Sequence, residues 1–232
     1  MAQCDAQTTS RLAELGIAVT ATNNETPRLE QRSDGLHAIC SDGSLHIDWL
    51  SGELHIRRHK ATVNSEAVAK ACGLNKTSPA QRTIIDLTAG LGRDGMVLAS
   101  LGAMVTLTER SPWLAALLSD ARQRAAAELD WLDSRLALRH ISAFDFLPTA
   151  VADCAYLDPM YPPRKKSALV KQDLRLIREL VGTDEDANEL LIAALDSGIK
   201  RVVSKRPAYA SPSVKPTHTI ESGATRFDVY LR

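Results

Sequence analysis

No stretch of the 232-residue chain stays apolar for more than about six residues; the longest runs are segments such as Trp113–Leu118 and Leu190–Leu195. A transmembrane helix needs roughly 18–20, so no membrane partner is expected. The start, Met1 to Arg11, is polar and lacks an apolar h-region, so no signal peptide is expected. The four cysteines, Cys4, Cys40, Cys72 and Cys154, stand alone. Without a CxxC pair neither a zinc knuckle nor a redox dithiol is signalled, and no metal is expected. Cys154, inside the apolar Cys154–Leu157, reads as a small core residue. Isolated thiols suit a reducing, cytoplasmic setting. Repeats and low-complexity segments are also missing. So is net charge: 28 Lys and Arg face 28 Asp and Glu, which argues against a nucleic-acid partner only if the two signs are evenly mixed.

What is there is an ordinary globular composition, 44% hydrophobic and 24% charged, long enough for one large domain or a core with a small appendage. The first 60 residues have β character. Leu29–Gln31, Leu36–Cys40, Leu45–Trp49 and Glu53–Ile56 alternate apolar and polar residues between Ser-Asp-Gly and Ser-Gly turn signals, which predicts a small antiparallel meander. The basic stretch Arg57, Arg58, His59, Lys60 reads as a solvated face. A short helix is expected over Ser65–Cys72. From Thr83 the rhythm becomes strand–helix alternation. Strands are expected at Thr83–Leu87, Ala103–Leu107, Leu136–Ile141, Ala155–Leu157 and Ile199–Ser204. The helices between them are Arg93–Leu101, Pro112–Leu129, Ser167–Val181 and Asp186–Asp196. His218–Glu221 and Arg226–Leu231 close as a hairpin. This predicts an α/β fold of the Rossmann-like kind, with a mostly parallel sheet, a C-terminal antiparallel hairpin and a small N-terminal β-rich subdomain. The expected division is residues 1–60 and 61–232.

Ligands in such sheets sit beyond the carboxyl ends of the strands. The first strand runs into Asp86-Leu-Thr-Ala-Gly90-Leu-Gly92-Arg93-Asp94-Gly95, a glycine turn that opens a helix. Gly90 and Gly92 permit a tight turn and close approach of a ligand. Glu109 follows at the end of strand two, where an acidic residue can hold ribose hydroxyls. That satisfies a dinucleotide fingerprint, and a nicotinamide-dependent oxidoreductase stays open on this evidence. The carboxylates Asp86 and Asp94 favour a different ligand, because they would repel a pyrophosphate and attract a cation. S-adenosylmethionine has an ammonium and a sulfonium and no phosphate. Arg110 would flank its adenine, and Ser142 and Ala143 fall where the adenine edge should lie. Asp145 is a candidate acceptor for the adenine amino group, or a turn cap.

The fourth strand delivers Asp158-Pro159-Met160-Tyr161-Pro162-Pro163. This resembles the (D/N)-P-P-(Y/F) motif of methyltransferases that act on exocyclic base nitrogens. An aromatic amine is a poor nucleophile because its lone pair is delocalised into the ring. Asp158 and the Pro159 carbonyl would accept its N–H bonds and localise that pair, with proline stiffening the loop. Tyr161 would stack on the base.

With these residues goes a wider resemblance. Glu66–Lys70, Asp86–Asp94, Glu109-Arg110, Tyr156–Pro162, Lys166–Lys171, Lys205–Tyr209 and Arg226–Tyr230 are similar to the bacterial ribosomal RNA small subunit methyltransferase J family. The match spans about residues 60–232 and carries nothing onto the first 55. It implies methylation of N2 of guanosine 1516 in 16S rRNA with S-adenosylmethionine as cofactor. It also implies cofactor contacts at Arg93, Asp94, Glu109, Arg110, Ser142, Ala143 and Asp158. Ala143 stands where a second serine is usual, so only a backbone contact survives there.

The charge proves to be uneven. Residues 160–181 hold six basic residues against two acids, and 200–215 hold five and no acid. Lys165, Lys166, Lys171, Lys205 and Arg206 are the expected RNA contacts, through phosphates, with Tyr161 and Tyr209 as stacking surface for a splayed-out base. The expected partner is 16S rRNA or the small ribosomal subunit, met by a monomer. A non-catalytic RNA-binding assembly factor would carry the same basic residues and stays open at this point.

Overall fold

A computed structural model describes residues 10, 12–14, 16, 27–160, 172–182 and 185–232 of the chain. Tyr161, Lys165, Lys166 and Lys171 lie outside the described residues.

The meander is present. Strands β1 (Arg28–Arg32), β2 (Gly35–Cys40) and β3 (Gly43–His46) pair antiparallel in that order. Their turns place Gly35 at φ 133° and Gly43 at φ 150°, the region that favours glycine. The expected fourth strand, Glu53–Ile56, is instead part of helix α1 (Gly52–Lys60). Leu54 and Ile56 alternate like strand residues, but only Leu54 is buried while Ile56 is 53% exposed. The charge order decides the matter: Glu53 sits in the first turn and Arg57, Arg58, His59 and Lys60 in the last, which suits the helix dipole at both ends. Helix α2 (Ala67–Ala71) follows.

The second sheet has seven strands in the order β6-β5-β4-β7-β8-β10-β9. Strands β4 (Thr83–Asp86), β5 (Met104–Glu109), β6 (Leu136–His140), β7 (Cys154–Leu157) and β8 (Arg201–Pro207) run parallel. Strand β10 (Thr225–Leu231) is antiparallel to β8, and β9 (His218–Ser222) to β10. The central strands are apolar on both faces, as a sheet covered by helices requires. Alternate residues feed two cores. Ile84, Tyr156 and Val203 enter one, with helices α3 (Arg93–Ser100) and α4 (Pro112–Ala126) and the meander. Ile85, Ala155, Leu157 and Val202 enter the other, with helices α6 (Ala143–Phe146) and α8 (Ala187–Asp196). The short α5 (Leu132–Arg135) precedes β6, and α7 (Gln172–Val181) precedes α8. No helix among the described residues is long and apolar enough to cross a membrane.

The meander is riveted to α4 by polar contacts as well as by its core. The Leu36 N–H donates to Asp120 Oδ2 at 3.0 Å, and Arg124 Nε donates to the same oxygen at 2.8 Å. Arg124 also donates to the Ile47 carbonyl. Gly35 lies so close that a Cβ there would sit 2.7 Å from Asp120 Oδ2. Asp120 is 4% exposed, so its loss strands a buried N–H and takes one of its partners from the Arg124 guanidinium. Asp120→Ala is therefore expected to cost about 2–3 kcal/mol in urea unfolding. A cost below about 0.5 kcal/mol, the usual scatter of surface substitutions, would show that these contacts do not hold the meander in place.

Candidate active site

The strand order reverses between β4 and β7, and a crevice outside the carboxyl ends is the expected ligand position. A cleft of about 880 Å³ opens there. Its walls include Asp86, Gly90, Arg93, Asp94, Glu109, Arg110, Ser142, Ala143, Asp158 and Pro159, so nearly all the residues singled out from sequence come together. Gly92 and Asp145 are not among the lining residues.

Three glycines shape the turn in three different ways. Gly90, at φ 55°, has its open side toward the cleft; the nearest non-neighbouring atom to a Cβ there would be the Thr88 carbonyl oxygen at 3.9 Å. Gly92, at φ 69°, faces the protein instead. A Cβ on it would fall 2.6 Å from Trp49 Cζ2 and 3.0 Å from Leu118 Cδ2. Trp49, 1% exposed, also donates its indole N–H to the Leu91 carbonyl at 3.0 Å. The expected ligand contact at Gly92 is thus corrected: the residue is glycine because an indole occupies that space. Gly95 lets α3 close on β5, since a Cβ would meet Leu107 Cδ2 at 2.4 Å.

Glu109 ends β5 with its carboxylate fixed by backbone donors. Oε2 accepts from the Gly90 N–H at 3.1 Å and Oε1 from the Ser111 N–H at 2.8 Å. Arg110 forms an ion pair with Asp186, the residue before α8. Ser142 caps α6, its hydroxyl accepting from the Phe144 N–H at 3.3 Å. Asp145 is exposed and away from the cleft, which removes it as an adenine contact.

The polar centre is a set of three carboxylates and two cations. Asp158 follows β7, its N–H donating to Thr88 Oγ1 at 2.6 Å. Lys205 Nζ lies 2.7 Å from Asp158 Oδ2 and 2.9 Å from Asp94 Oδ2. Asp94 also accepts from the Tyr156 hydroxyl at 2.6 Å and from Arg57 Nη1 at 2.8 Å. Arg57 in turn holds Glu66 through Nη2 at 2.7 Å and Nε at 3.1 Å. Asp94 is buried, which alone would raise its pKa; Lys205, Arg57 and the Tyr156 hydroxyl outweigh that and bring it down to about 2. Among the described residues no such cation is bonded to Asp86. Burial, with the negative Asp94 and Asp158 nearby, pushes it up to about 8 despite the Thr88 N–H.

Two sequence expectations change here. Arg57, read as part of a solvated stretch, points into the cleft and pairs with Asp94. No local pattern could have revealed this, because its partner is 37 residues away. Lys205 and Arg206, expected to face RNA, both turn inward. Lys205 is clamped between the two carboxylates, and Arg206 is 5% exposed with Nε 3.1 Å from Asp228 on β10. Tyr209, 51% exposed on the cleft wall, keeps the position expected of a stacking surface.

A parallel sheet reversing at a glycine turn, closed by an antiparallel hairpin, with an acidic second strand end and carboxylates where a phosphate would sit, defines a methyltransferase dependent on S-adenosylmethionine. Residues 12–232 match the family model described as "Putative SAM-dependent methyltransferase". A crystallised SAM-dependent methyltransferase, NGO1261 from Neisseria gonorrhoeae, superposes with a TM-score of 0.75 at 28% identity, over 98% of this chain and 92% of that one. Curated relatives named ribosomal RNA small subunit methyltransferase J narrow the class. The one from Thioalkalivibrio sulfidiphilus is 44% identical over 94% of this chain and 90% of its own. The one from Aeromonas hydrophila is 46% identical over 95% and 88%. The chain belongs to the ribosomal RNA small subunit methyltransferase J family.

The cleft's donor set fits the cofactor. Glu109 lines the cleft beside the open side of Gly90, and Asp86 is a buried carboxylate with no cation bonded to it among the described residues. Asp86 prefers its proton in the free protein, so its contribution to stability falls as pH rises from about its ordinary 3.8 toward 8. A cationic ligand reverses that preference and expels the proton. Titration of S-adenosylmethionine at pH 7 in buffers of different ionisation enthalpy should show roughly one proton released on binding, and roughly none for Asp86→Asn. Equal proton release by both proteins would remove Asp86 from the cation site.

Proposed function

We propose that this protein methylates the exocyclic N2 of a guanosine in 16S rRNA, guanosine 1516 by the family's specificity, in the cytoplasm and as a monomer. The observation that carries the reading is Asp158. It stands at the end of β7, beside the strand that carries Asp86 and in the same cleft as Glu109, with its backbone fixed by Thr88. Bound S-adenosylmethionine supplies a methyl group on a positively charged sulfur. The chain's own residues do the rest. Asp158 and the Pro159 carbonyl accept the N–H bonds of the target amine and hold its lone pair toward the reacting centre. Tyr161 is the expected stacking partner for the base, and the exposed ring of Tyr209 offers a second such surface. Positioning of this kind supplies much of the rate in a bimolecular transfer.

The Asp-Pro-x-Tyr arrangement would accept the N–H bonds of adenine N6 as well, so the choice of guanine rests on the family match. The nicotinamide reading is set aside by the family match. The family match likewise sets aside a non-catalytic assembly factor.

Asp158→Ala should lower methylation of small-subunit RNA by about 10²–10³-fold, the range for losing one well-placed polar group at a reacting centre. Thermal stabilisation by S-adenosylhomocysteine should persist, and NAD should give none with either protein. Mass mapping of N2-methylguanosine in 16S rRNA, with and without the gene, identifies the nucleotide. An unchanged map would overturn the assignment.

A further inference from the structure

We propose that Lys205 is a positioning residue that keeps Asp158 an anionic acceptor aimed at the target amine, and that it is not an RNA phosphate contact. The proposal rests on the methyltransferase reading above and adds a residue to it.

The placement is built rather than incidental. Lys205 lies on β8, paired with Phe227 of β10, and its ammonium crosses to the ends of two other elements. One carboxylate it meets, Asp94, is held from three sides: by Tyr156 of β7 at 2.6 Å, by Arg57 of α1 at 2.8 Å, and by Lys205 itself at 2.9 Å. Arg57 is steadied by Glu66 at 2.7 Å. Asp94 therefore acts as the fixed end of a short chain, and Lys205 transmits that fixed position to Asp158 Oδ2 at 2.7 Å. Two of the three ammonium hydrogens are committed to these bonds.

The charges around the pair say why a cation is needed. Asp158 shares the cleft with Asp94, whose negative charge favours protonation of a carboxylate beside it. A protonated Asp158 would present a hydroxyl donor to an amine that needs acceptors. Lys205 opposes this with a permanent charge, since both carboxylates hold it well above the usual lysine range even against burial. The described groups that face the pair include Asp86 from β4, Asp94 from α3, Tyr156 from β7 and Arg57 from α1, which bonds Asp94 and Glu66.

The test compares Lys205→Met and Lys205→Arg in the purified full chain, on small-subunit RNA from cells lacking the gene. For Lys205→Met we expect kcat at pH 7 to fall at least about tenfold. The acidic limb of its pH profile should move up, so that activity recovers as pH rises. KM for RNA and its salt dependence should stay as in the unaltered protein. Lys205→Arg should restore most of kcat and return the limb. If Lys205→Met does not fold, Lys205→Gln keeps a donor without the charge and should show the same displaced limb.

A Lys205→Met protein with unchanged kcat and weaker, less salt-dependent RNA binding would make Lys205 a phosphate contact and overturn the proposal. A loss of kcat with an unmoved limb would make its role merely structural and overturn it as well. Failure of the unaltered protein to methylate guanosine N2 would instead count against the methyltransferase assignment, which the variants do not test.

Discussion

A carboxylate buried at the first turn of a helix must be compensated on the spot, and Asp94 is compensated from three directions. A hydroxyl from β7, an ammonium from β8 and a guanidinium from α1 all end on its two oxygens. None of these elements is adjacent in sequence to α3. The ion cluster therefore joins the start of α3, strands β7 and β8, and helix α1 at one point. That point lies next to the cleft, so the arrangement that satisfies a buried charge also fixes the walls of the reaction chamber. Removing one partner of such a cluster leaves the others buried and unpaired, which is why the cluster behaves as a unit.

A second connection works through shape. Trp49 fills the space beside Gly92 and bonds the Leu91 carbonyl, while the meander just before it is fastened to α4 through Asp120. A segment to which the sequence motifs assign no role, though the family match spans it, thus supports the glycine turn. Its contribution is mechanical: it holds the glycine turn in a conformation whose open side, at Gly90, faces the cleft.

Much of this was legible in the residues. The apolar runs of Thr83–Leu87 and Ala155–Leu157 marked buried parallel strands, because two covered faces need continuous hydrophobicity. The glycine turn, Glu109 and Asp158 were found because each follows a strand end, and the parallel fold collects strand ends on one side. What escaped had a common cause. Glu53–Ile56 offered four residues of alternation, too few to separate a strand from one turn of helix. Arg57 and Lys205 looked like surface charge because a basic side chain is the same letter whether it is hydrated or paired. Their partner Asp94 lies 37 and 111 residues away, and only the closed fold brings them together. Gly92 was misassigned for the opposite reason: a glycine records that something comes close, not whether it is a ligand or an indole.

The Trp49–Gly92 contact also bears on the order of synthesis. A growing chain emerges from its N-terminus, and the parts made first are available first. Trp49 is made some forty residues before the glycine turn, but Asp120, which fastens the meander beside it, is made after the turn, so the contact closes only once the chain on both sides of the turn is present.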